Sequence, residues 1–86
     1  MPTIFYTEPG TGFSYSLCVT EAEAYDISTA NPRKAQRIAL PETCGTIDFD
    51  ANGNATITSP KGKHSFAYSS DVVRSAKDAL KGERNS

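Results

Sequence analysis

Residues 45–59 read Gly-Thr-Ile-Asp-Phe-Asp-Ala-Asn-Gly-Asn-Ala-Thr-Ile-Thr-Ser, two alternating runs around Asn52-Gly53. Apolar side chains at every second position make strands with one buried face. Asn-Gly between two such runs marks a hairpin, because both residues tolerate positive φ. A two-residue loop would set Phe49 opposite Thr56 and put Phe49 and Ile57 on opposite faces. A three-residue loop, Ala51-Asn52-Gly53, closes on Asp50 and Asn54. Ile47 then faces Ile57, Phe49 faces Ala55, and Asp48 faces Thr56. The second register is expected, since it gathers the apolar set on one side and puts Gly53 at the left-handed position.

The flanking sequence extends this hairpin. Ser59 to Lys63 is a turn cluster, and a four-residue loop from Pro60 to Lys63 would set Phe66 opposite Ile57 and Tyr68 opposite Ala55. That makes a three-stranded meander with one apolar face. Ser69 or Ser70 is then expected to cap a last helix, with Asp71 favourable beside its positive end. Val72, Val73, Ala76, Ala79 and Leu80 form the apolar stripe of that helix. Gly82 is expected to end it, leaving 83–86 as a frayed tail after a single domain over 1–82.

Toward the N-terminus, Thr3 to Thr7 and Phe13 to Val19 alternate around a turn at Glu8-Pro9-Gly10-Thr11-Gly12, which predicts another hairpin. Thr20-Glu21-Ala22-Glu23 fits a capping box and predicts a short helix to about Ser28 that buries Ala22, Tyr25 and Ile27. Asn31-Pro32 reads as a second helix start running to about Ala39, ended by Pro41. The expected fold is α+β: an antiparallel sheet from the N-terminal hairpin and the meander, with two short central helices and a C-terminal helix on one face.

Eighty-six residues with a formal net charge of −1 give no global drive toward nucleic acid or membrane. The charge is uneven: residues 1–50 hold three basic and seven acidic side chains, residues 51–86 six basic and three acidic. No apolar run is long enough to span a bilayer, and Met1 to Tyr6 lacks the features of a signal peptide, so a cytoplasmic protein is expected. Cys18 and Cys44 are then expected as free thiols; a bridge between them would contribute about 3 kcal/mol.

Each chemical motif has a simpler structural reading. Asp48 to Asn54 matches the first half of a calcium loop, D-x-D-x-N-G-x, but its twelfth position is Ser59 and its flank is extended, so a hairpin without metal is preferred. Gly10-Thr11-Gly12 precedes a strand rather than the helix that a phosphate loop needs. His64, the one histidine, lies at a strand end with neither cysteine placed beside it, which argues against hydrolytic or zinc chemistry. No cofactor is implied, and the chain is expected not to be an enzyme.

The expected function is docking on a larger macromolecule, chiefly a protein, through an acidic face of Glu21, Glu23, Asp26, Asp48 and Asp50. Small acidic inhibitors encoded by phages and mobile elements, aimed at host proteins that handle nucleic acid, are the analogy. The alternative is a nucleic-acid module using Lys61 and Lys63 on the turn with Arg74, Lys77 and Lys81 on the last helix. A monomer or a homodimer is expected, the latter if an uncovered edge of the meander pairs.

Overall fold

The computed structural model describes the backbone of residues 1–85 and the side chains of residues 1–82. The chain is α+β, with a two-stranded and a four-stranded antiparallel sheet and two helices. The first hairpin pairs β1 (Thr3–Thr7) with β2 (Ser14–Cys18). Helix α1 (Glu21–Ser28) follows. The larger sheet runs in sequence order through β3 (Gln36–Leu40), β4 (Gly45–Phe49), β5 (Asn54–Thr58) and β6 (His64–Tyr68). Helix α2 (Ser69–Asn85) leaves β6 directly.

The central hairpin folds in the register its apolar face requires. Ile47 pairs with Ile57, Asp48 with Thr56 and Phe49 with Ala55. The Asp50 N–H donates to the Asn54 carbonyl at 2.9 Å, closing the three-residue loop, and Gly53 sits at φ +86°. The capping box also forms: the Glu23 N–H donates to Thr20 Oγ1 and the Thr20 N–H to Glu23 Oε1.

Several expectations are corrected. The segment after Asn31-Pro32 is not a second central helix. Asn31 Oδ1 accepts the Arg33 N–H in a turn, and Gln36 to Leu40 then extends as β3, making the meander four-stranded. Ile38 and Leu40 are buried while Arg37 and Ala39 are exposed, a period of two. Pairing of Ile38 with Ile47 outweighs the weak local helical preference of a short run between two prolines.

The β5–β6 register is shifted by one residue from expectation. Ile57 faces Ser65, Thr56 faces Phe66, Ala55 faces Ala67, and Asn54 faces Tyr68. A slip of one turns every side chain to the other face. Ser65 and Ala67 therefore point into the core, and Phe66 and Tyr68 point out.

In α1 the buried residues are Glu23, Ala24, Ile27 and Ser28, whereas Ala22 and Tyr25 are exposed. Helix α2 passes through Gly82 to Asn85 rather than ending there. The expected tail at 83–86 lies partly in that helix, and Ser86 is outside the described residues. Neither serine supplies the expected cap: the helix begins at Ser69, whose N–H donates to the Gly53 carbonyl and whose Oγ is buried without a hydrogen-bond partner.

The core is built from Ile38, Leu40, Ile47, Phe49, Ala55, Ile57 and Ala67 of the larger sheet. Val72, Val73, Ala76 and Leu80 of α2, Ala24 and Ile27 of α1, and Ile4, Tyr6 and Val19 from the hairpin region complete it. The hairpin is moored by Tyr6, whose hydroxyl is 2.9 Å from Ser65 Oγ, and by the Phe5 N–H donating to Ser75 Oγ at 2.8 Å. Both thiols are free and exposed. No helix among the described residues is long and apolar enough to cross a membrane.

Candidate binding face

The larger sheet has helices against one face only, because its apolar residues alternate onto that face. The other face carries Arg37 and Ala39 from β3, Thr46 and Asp48 from β4, Asn54, Thr56 and Thr58 from β5, and His64, Phe66 and Tyr68 from β6. Phe66 is 52% exposed and Tyr68 50%. They stand two residues apart on one strand, about 7 Å along it. The backbone at Phe66 is held on both sides. The β5 ladder lies on one side, and on the other the Phe66 N–H donates to Glu8 Oε2 at 3.3 Å. Glu8 reaches this edge from the turn after β1, where its Oε1 also accepts the Thr11 hydroxyl.

The acidic residues expected to form one face are dispersed. Glu23 is buried, 3% exposed, and unavailable to a partner. Its Oε1 accepts the Thr20 N–H and the Thr43 hydroxyl at 2.9 and 2.5 Å; its Oε2 accepts the Glu42 and Thr43 N–H groups at 3.1 and 3.2 Å. Burial raises the pKa of this carboxyl, and the hydrogen bonds from Thr20 and Thr43 more than reverse that, holding it down to about 2. Glu21 and Asp26 line a shallow groove with Ala22, Tyr25 and Leu80. Asp48 lies on the sheet, where its Oδ1 receives the Arg37 Nε–H at 2.8 Å. Asp50 is turned into its own loop, accepting the Asn52 and Asn54 N–H groups at 2.8 and 2.9 Å. The Asn54 amide leads the bonds that lower its pKa. Within the calcium-like spacing, Asp50 thus serves as the acceptor of an Asx-type turn and Asp48 as the partner of Arg37.

The basic residues are split as well. Arg74 donates to Asp71 Oδ1 at 2.9 Å, and both line a groove with Phe5, Ser75, Asp78 and Ala79. Lys77 and Lys81 line a different groove with Tyr25, Ser28 and Leu80. Lys61 and Lys63 stand on the β5–β6 turn, with no ion pair among the described residues. His64 begins β6 opposite Thr58, its Nδ1 3.2 Å from Thr58 Oγ1.

Sequence reasoning missed the site's two rings because apolar residues at alternate positions were assigned inward. The usable signal was Ser65, which becomes intelligible once Tyr6 is seen to need a buried partner for its hydroxyl. Comparison with family models, with curated proteins and with solved structures gives no match.

Proposed function

We propose that this chain is a non-enzymatic binding protein that docks on a protein partner through the outer face of the β3–β6 sheet. The observation that carries this reading is the exposure of Phe66 and Tyr68, side by side on a strand paired to β5 and held from its outer side at Phe66. Rigid aromatic side chains bury large area for little lost conformational freedom, and they dominate protein interfaces. The polar surroundings, Thr56, Asn54, Thr58 and the Arg37–Asp48 pair, suit the rim of such a patch. Asp48 is already matched by Arg37, Asp50 by its own loop amides and Glu8 by the Phe66 N–H and the Thr11 hydroxyl, whereas Lys61 and Lys63, on the turn that leads into β6, have no ion pair among the described residues. This supports a partner whose contacting surface is acidic rather than basic.

The test is affinity capture from nuclease-treated lysate of the source or host, comparing the wild type with a Phe66→Ala/Tyr68→Ala variant and a Glu21→Lys/Asp26→Lys variant. The reading expects a stoichiometric protein retained by the wild type and the second variant and lost by the first. Loss from the second variant alone would move the site to α1. Retention that disappears with nuclease would favour the nucleic-acid alternative.

A further inference from the structure

The two edges of the larger sheet are treated differently. At β6, Glu8 caps the Phe66 N–H and Tyr6 crosses to Ser65. At β3, no other strand or side chain among the described residues bonds the outer backbone of Arg37 or Ala39. That these residues carry the outward groups follows from the ladder. The Asp50–Asn54 bond puts Asp48 and Thr46 toward β5, so Ile47 and Gly45 turn toward β3 and bond Ile38 and Leu40. Arg37 and Ala39, between these, must direct their N–H and C=O groups away from the sheet.

Exposed edges are commonly guarded by a free charge. The one charged side chain in β3, Arg37, is instead folded back across the sheet onto Asp48. The edge is also self-complementary. In an antiparallel pairing centred on Ile38, Arg37 stands opposite Ala39 of the second copy, so no like charges meet. Beyond the strand, exposed Lys34 in the bend before it and exposed Glu42 in the turn after it lie four residues on either side of Ile38, so the same twofold brings opposite charges to each end of the pair.

We propose that β3 pairs antiparallel with β3 of a second copy about a twofold axis through Ile38. Arg37 and Ala39 then exchange backbone hydrogen bonds across the axis, and Lys34 and Glu42 are matched at both ends. The larger sheet becomes continuous through both copies, and the Phe66–Tyr68 columns lie at its two far ends on one surface. A partner with two acidic sites would meet both columns at once. The pairing stands independently of the docking reading, since it uses the opposite edge.

The experiment is sedimentation velocity of the full chain over a wide concentration range at low salt. The expected result is a mass rising from 9.2 kDa toward twice that value. Ala39→Pro should stay monomeric and folded. Its N–H points outward, so the β3–β4 ladder keeps its bonds while the new pair loses a donor. Lys34→Glu should weaken association at least several-fold, and Lys34→Glu/Glu42→Lys should restore it. If Ala39→Pro does not fold, this charge exchange decides the matter alone. A monomer at every concentration overturns the proposal. So does a dimer that survives Ala39→Pro, or one that Lys34→Glu leaves unchanged.

Discussion

Phe66 lies directly opposite Thr56 in the β5–β6 ladder, and that pairing turns the Phe66 ring to solvent. With Ile57 opposite it, the ring would have been buried. The core side of β6 is filled by small residues, Ser65 and Ala67, because Tyr6 arrives from the first hairpin to occupy the space and bond Ser65. The aromatic surface is therefore a consequence of how the hairpin docks.

The Glu23 carboxylate ties the start of α1 to the β3–β4 turn. Glu23→Gln removes charge-assisted bonds to the part-buried Thr20, Glu42 and Thr43 N–H groups and should destabilise the fold by about 2–3 kcal/mol. Urea unfolding at neutral pH reads this directly.

The same residue gives a pH dependence. Its folded pKa, about 2, lies below the ordinary 4.5. A depressed carboxyl pKa stabilises the folded state above the unfolded value, and the contribution is lost as pH falls from about 4.5 toward 2. Unfolding free energies measured between pH 6 and pH 2 should fall through that window. Glu23→Gln should flatten the fall.

Gly45 lies where a Cβ would come within 2.7 Å of the Thr58 backbone carbonyl. Strands β4 and β5 are paired at Thr46 and Thr58, so neither backbone is free to yield. Gly45→Ala should destabilise by about 1–3 kcal/mol, the range for forced overpacking. Thermal melting compares it with Gly82→Ala, whose added Cβ meets open space; there the helical preference for alanine should raise the melting temperature slightly.

Ser69 presents the opposite case. Its Oγ is buried and unpartnered, so Ser69→Ala removes a desolvated hydroxyl without removing a bond. Stability should rise by about 1 kcal/mol in urea unfolding. A loss of that size would indicate that the hydroxyl is bonded in solution.

The parts of the fold legible in the sequence were those fixed by local chemistry. Asn52-Gly53 and the alternation around it defined the central hairpin, Thr20 with Glu23 defined the start of α1, and the Val72–Leu80 stripe defined α2. Strand β3 was misread because Ala35, Ile38 and Ala39 fit a helical spacing as well as Ile38 and Leu40 fit a strand. The choice is made by pairing with Ile47 and Asp48 across the turn between β3 and β4, a tertiary contact that helical spacing within 33–39 does not reveal. The β5–β6 register failed for a related reason: the competitor for core space is Tyr6, about sixty residues earlier. At the candidate site, Asp48 lies on the solvent face of its strand, as the alternation implies, whereas Asp50 turns into the loop instead. Their electrostatic partners, Arg37 and the Asn52 and Asn54 amides, become visible only when the strands are assembled.

The most direct measurement is hydroxyl-radical footprinting of the protein alone and bound to the captured partner, read residue by residue by mass spectrometry. In the free protein Phe66 and Tyr68 should label strongly and Tyr6 weakly, as their burial requires. In the complex, protection should concentrate on Phe66 and Tyr68 and leave Phe5, Phe13 and Tyr25 unchanged. Labelling of Phe66 and Tyr68 that is unaffected by the partner, with protection at Phe5 or Tyr25, would contradict docking through the sheet.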